Sequence, residues 1–181
     1  MMNMTVSVGT PGAPGSITYT PMEYIFKIKN PEMIENEYTV RDDRAAREIM
    51  ENVGIFDFEK LQTLLEGLDF TAISTRQLSR LSSELLALGF KDESAITFLA
   101  QGNMDEGFDG MPRNQDVKFN AIPLINEQLD GHFSFAANEG LTHDRAYKRI
   151  LDSLVNANHV VAALSYLAKS AQGLPSINER V

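Results

Sequence analysis

The stretch QGNMDEGFDGMPRNQD, residues 101–116, carries the side chains whose types and spacing come nearest to a recognisable chemistry. Calcium takes roughly six to eight hard oxygens, and a helix–loop–helix site supplies them from alternate positions of a loop of about 12 residues with glycine at the sharp bend. With Asp105 at position 1, Asp109 falls at 5, Gly110 at 6 and Asp116 at 12. Other positions depart from that pattern. Gly107 at position 3 has no side-chain oxygen, Pro112 at 8 lacks a backbone donor, and Arg113 at 9 puts a cation near the ion. Asp116 is also shorter than the bidentate glutamate usual at the last position.

Three readings of the segment follow. It is a calcium site using Asp105, Asp109 and Asp116, or a helix connection built from the Gly, Asp and Asn that such bends use. As a third reading, about 14 residues is long for a bundle connection, and an exposed loop of that length contacts partners. Met104, Phe108 and Met111 are then the candidate contact residues, unless they fold back onto the core.

The other chemistry-bearing groups form no motif. His143 and His159 lie 16 residues apart, which on one helix leaves them about 160° apart in rotation, too divergent to share a zinc ion. His132 has no spacing that joins it to them, and His159 beside Val160–Val161 reads as a satisfied histidine on an apolar face. Asp42–Asp43 and Asp105–Glu106 are adjacent carboxylates, and neighbours on a helix diverge by about 100°. They read as solvated surface. The chain has no nucleophile elbow, Walker loop, dinucleotide fingerprint or H-E-x-x-H pair. It has no cysteine either, which excludes disulfides, thiolate metal sites and cysteine nucleophiles.

The elements that position these residues read as helices. RDDRAAREIMENVG offers Asp43–Arg47, Arg44–Glu48 and Arg47–Glu51 at i,i+4, an apolar stripe of Ala45, Ile49 and Val53 flanked by Ala46 and Met50, and Gly54 as a stop. Asp57 caps a helix anchored by Leu61, Leu64, Leu65 and Leu68, with Gly67 near its end. Ser74 and Gln77 make a capping box for a helix whose Leu78, Leu81, Leu85 and Leu88 recur at helical spacing before Gly89. Asp92 caps a short helix that ends at Gly102.

NQDVKFNAIPLINEQLDG also reads as helical, with a kink or break expected near Asn120 because Pro123 removes a hydrogen bond and clashes one turn back. From Thr142 to Ala171 no Pro or Gly interrupts, and Tyr147, Leu151, Leu154, Val161 and Leu164 form a seam that includes Asn158. A polar residue in such a seam fixes register between helices. The helix is either the spine of the monomer or a dimer seam.

Residues 1–22 carry no charge and are rich in Gly, Pro, Ser and Thr, which suits a flexible arm. Ile17–Thr20 is able to add a short strand, and Met22–Lys29 is extended until Asn30–Pro31 stops it. The uncharged start is similar in composition to those that some bacterial secretion systems export. It lacks the basic and apolar regions of a secretory signal. No apolar run approaches a membrane span, so no membrane insertion is expected.

The formal net charge is −9, with 12 acids against 6 bases over 23–69 and 7 against 2 over 103–139. Residues 140–181 reverse the sign, with 5 bases and 3 acids. Duplex binding needs a dense basic face, and none is present, so nucleic acid is not an expected partner.

The sequence predicts an all-α fold: an irregular bundle of five or six helices around a long C-terminal helix, with an extended N-terminal arm. Residues 1–30 form the arm, 31–173 a single helical domain and 174–181 a loose tail. The expected function is that of a non-enzymatic helical interaction protein of a bacterium, an adaptor, assembly or secretion-associated component. Its partner is another protein or a second copy. The expected compartment is the cytoplasm, with export through a specialised route as the variant. A calcium- or ligand-responsive module using 105–116 is the second reading, and an enzyme of dispersed residues the third.

Overall fold

The computed structural model describes residues 28–107 and 109–173, together with the backbone of two short strands at 6–7 and 18–19. Phe108, most of the Met22–Lys29 segment and the 174–181 tail lie outside the described residues. The two strands, β1 (Val6–Ser7) and β2 (Thr18–Tyr19), pair antiparallel with Val6 opposite Tyr19.

The first helices begin where a carboxylate meets an unpaired amide. Asp42 accepts from the Ala45 amide at 2.8 Å to open α1 (Asp43–Asn52), and Asp43 pairs with Arg47 at 2.6 Å one turn on. Asp57 opens α2 (Phe58–Leu65) in the same way through Lys60. Ser74 and Gln77 form the full capping box of α3 (Thr75–Ala87), and Asp92 opens α4 (Glu93–Gln101). Each cap satisfies an amide that the first turn cannot bond internally.

The ends of α1 and α3 are built alike and meet. Gly54 and Gly89 both take left-handed backbone, with φ of +96° and +106°. The next residues, Ile55 and Phe90, donate back to the carbonyls of Met50 and Leu85 at 2.9 and 3.0 Å, closing two Schellman turns. Ile55 and Phe90 are buried as they do so. The two turns back onto each other: a Cβ on Gly54 would stand 2.6 Å from the Gly89 carbonyl oxygen. Lys91 donates to the Val53 carbonyl at 2.8 Å alongside.

Helix α5 (Ala121–Asn138) differs from expectation at both ends. Residues before Asn120 are not helical, and Lys118–Phe119 (β4) pairs with Ile73–Ser74 (β3). Asn120 caps the helix, which puts Pro123 in the first turn, where a missing amide proton costs nothing. The break therefore falls where proline predicts it, as a helix start. At the other end α5 runs through Gly131 to Asn138, because Gly131 keeps helical backbone and Ala136 beyond it is fully buried. Gly140 supplies the left-handed stop instead, with Leu141 bonded back to Ala136 at 2.8 Å.

Asp144 caps α6 (Arg145–Ala171), so this helix starts three residues later than the absence of Pro and Gly allows. Its 27 residues span about 40 Å. Helices α1, α2, α4 and α5 all pack on it, burying Leu154, Ala157, Val160, Val161, Leu164 and Leu167. The fold is all-α, an irregular bundle around the long C-terminal helix. Asn158 is fully buried within the one chain, with its amide donating to the carbonyls of Leu154 (2.9 Å) and Ile125 (3.3 Å). The seam of α6 is thus packed against α5 of the same molecule.

Candidate functional site

The segment between α4 and β4 folds as a hairpin braced on α3. At Gly102 (φ +51°) the chain passes so close to the start of α3 that a Cβ would lie 3.0 Å from the Thr75 hydroxyl. Thr75 donates to the Asn103 carbonyl at 3.3 Å, and the Arg76 amide donates to the Gln115 carbonyl at 3.0 Å. Between these anchors Arg113 donates to Asp105 (2.7 Å) and Gly107 to Met111 (2.9 Å), with Glu106 bridged to Pro112. Both donors skip Pro112, which has none to give.

The three carboxylates proposed from spacing each face a protein group. Asp116 takes two hydrogen bonds from the Arg76 guanidinium, at 2.7 and 3.1 Å, and those bonds hold its carboxyl below the usual range. Asp109 caps the Met111 amide at 3.1 Å and lies 3.7 Å from Arg113. Asp105 accepts from the Asn114 side-chain amide. Among the described residues, no three His, Cys, Asp or Glu side chains come together as a metal-holding group. The folding of this segment joins each acid to its own partner rather than all three to one point.

Of the candidate contact residues, Met104 is 48% exposed and Met111 62%. Leu86 on the last turn of α3 (45%) and Val117 at the foot of the hairpin (56%) are exposed as well. A groove of about 360 Å³ runs between α3, α4 and the hairpin, and Leu86, Ile96 and Met104 line it. Pro112 and Gln115 border both this groove and the hollow beside Val117. Sequence reading missed Leu86 and Val117. Leu86 sits beside Leu85 in the helical stripe, and only the packing tells which of the two faces out.

The histidines are dispersed. His143 is exposed ahead of α6, while His159 packs edge-on against Tyr38 with ring centres 4.9 Å apart. His132 on α5 meets Tyr147 on α6, with Nδ1 2.8 Å from the phenol oxygen. Burial pushes the pKa of both His132 and His159 down, and Glu37 opposes that shift at His159. Asp42 is spent on its cap and Asp43 on Arg47. Among the described residues no helix is long and apolar enough to cross a membrane.

Comparison with protein-family models, with curated proteins and with solved structures finds no match to this chain.

Proposed function

We propose that this chain is a non-enzymatic interaction protein, an adaptor, assembly or secretion-associated component of a bacterium. It engages a protein partner, or a second copy, through the face formed by the 103–117 hairpin and the end of α3. The observation that carries the reading is the exposure of Met104, Met111 and Val117 on a hairpin that is already braced, with Leu86 exposed at the end of α3 beside it. Methionine is unbranched and polarisable, and suits surfaces that adapt to a partner. A braced loop loses little conformational freedom on binding, so more of the apolar contact appears as affinity.

Three of the five hydroxyls that line the groove are given to backbone carbonyls, which favours a binding role over a catalytic one. Thr75 donates to the Asn103 carbonyl, Ser83 to Ser79 and Thr97 to Glu93. A nucleophile would instead be held against a base. The acidic balance of the chain favours a protein over nucleic acid as partner. The calcium reading ranks behind, because Asp109 and Asp116 would have to leave Arg113 and Arg76 to reach an ion.

The test replaces Met104 and Met111 by Glu together and compares association of the variant and the parent chain. Sedimentation of the purified protein reports self-association, and co-isolation from the native cell reports a partner. Loss of either complex with an unchanged circular dichroism spectrum supports the reading; complexes that persist unchanged contradict it.

A further inference from the structure

A second groove, of about 480 Å³, opens between α4, α5 and α6 and is lined by Phe98, Gln128, Gly131, His132, Phe135 and Tyr147, among others. That volume suits a small organic ligand. Among the described residues no Asp, Glu, Lys or Arg lines it, in a chain of which 23% is charged. Its rings form a connected set, with His132 6.2 Å from Phe98 and 6.0 Å from Tyr147 by ring centres, and Phe135 5.9 Å from Tyr147. Phe135 stays 51% exposed at the rim.

Two features bear on what the groove can hold. Gly131 lies inside α5 with ordinary helical backbone, and a Cβ there would meet nothing within 4 Å. Neither backbone conformation nor close packing calls for glycine, although glycine weakens a helix interior. What its absent side chain provides is space in the groove.

The second feature is His132. The Tyr147 hydroxyl has one proton and lies 3.3 Å from the His132 carbonyl oxygen, which can only accept. With that proton assigned to the carbonyl, the phenol oxygen accepts from His132 Nδ1–H at 2.8 Å, and on this tautomer, which is an assignment, the lone pair lies on Nε2. Among the described residues Nε2 has no hydrogen-bonding partner, and it is not sealed from solvent.

We propose that this groove binds a small neutral aromatic ligand of one or two fused rings carrying an N–H or O–H donor, its ring against Phe98, Phe135 and Tyr147 and its donor on His132 Nε2. The site is separate from the hairpin face and does not depend on the role assigned there. Neutrality follows from the uncharged lining, the ring from the aromatic walls, and the donor from the unpaired acceptor.

The experiment titrates the full chain with indole and with 1-methylindole, which keeps the rings but lacks the donor, following side-chain NMR signals of His132, Phe98, Phe135 and Tyr147. Indole is expected to give saturable shifts at all four residues and to bind about 3–10-fold more tightly than 1-methylindole, the worth of one hydrogen bond. Gly131→Leu fills the groove from a position with room for a side chain and is expected to weaken indole at least tenfold while melting no lower than the parent. Phe135→Ala, at the exposed rim, provides a second weakened variant should Gly131→Leu fail to fold. Absence of saturable shifts overturns the proposal, as does indole affinity unchanged in both variants. Equal affinity for the two probes overturns the role given to His132.

Discussion

The phenol oxygen of Tyr147 lies 2.8 Å from His132 Nδ1, joining the two long helices near the end of their hairpin. Burial favours the neutral imidazole and pushes the His132 pKa down, as it does that of His159. Between a lowered folded value and an unfolded value of about 6.5, the unfolded chain binds more protons. Stability is therefore full above about pH 6.5 and falls as the pH drops through the folded values. Melting at pH 5.5 is expected to come below melting at pH 7.5, and the His132→Gln, His159→Gln double variant should flatten that slope. A slope unchanged in the double variant would assign it to other groups.

The glycines separate by what surrounds them. Gly54→Ala puts a Cβ in left-handed backbone and 2.6 Å from the Gly89 carbonyl oxygen. The conformation alone costs about 1–2 kcal/mol, and the clash adds to it, so a loss of roughly 3 kcal/mol or more is expected in urea unfolding. Gly131→Ala meets neither obstacle and is expected to gain about 0.5–1 kcal/mol from helix propensity. Equal effects of the two substitutions would contradict the reading of both.

Asn158 is fully buried, and among the described residues its Oδ1 has no partner. Asn158→Asp would place a charge there with no cation facing it, at a cost of about 3–5 kcal/mol at neutral pH. Asn158→Leu removes an unsatisfied oxygen while keeping a similar shape, and is expected to cost less than about 1.5 kcal/mol. Chemical denaturation of the pair measures both, and a larger loss for leucine would show that the two amide hydrogen bonds dominate.

Arg76 and Asp116 are both exposed, so Asp116→Ala is expected to leave the melting midpoint almost unmoved. Its effect should be local, with faster hydrogen exchange at the Arg76 and Arg113 amides that close the hairpin. The lowered pKa of Asp116 gives the pH window: the ion pair is in place above the unfolded carboxyl value of about 4 and is lost as the pH falls through the folded value. Exchange that does not change in the variant would remove the brace from the account.

Calcium separates the two readings of the hairpin. A ligand at about 100 times its dissociation constant stabilises by roughly 2.7 kcal/mol, whereas melts in EDTA and in millimolar calcium are expected to coincide here. A rise in midpoint abolished by Asp105→Ala and by Asp109→Ala would restore the calcium reading.

The helices were legible because their signals are local. Asp57, Ser74 with Gln77, and Asp92 each act on an amide three residues away, and Gly54 and Gly89 act on their own backbone; the cap at Asp42, read as solvated surface, was not seen. What the sequence hid is long-range. Arg76 meets Asp116 across 40 residues, and His132 meets Tyr147 across a helix turnaround. No spacing rule joins such pairs, so the partners that the acids of 105–116 take in the fold were not legible from their spacing. The aromatic groove was hidden for the same reason, since its walls come from three helices. Its one local trace was Gly131, where the stretch read as helical stops.

The most direct test of the hairpin face places a photo-crosslinking residue at Met104, at Met111 and, as a control, at exposed Glu84 on the outer side of α3. The account predicts one discrete adduct, either a second copy or a single partner, from positions 104 and 111 and none from 84. Adducts equally frequent at all three positions, or absent from 104 and 111, would contradict it.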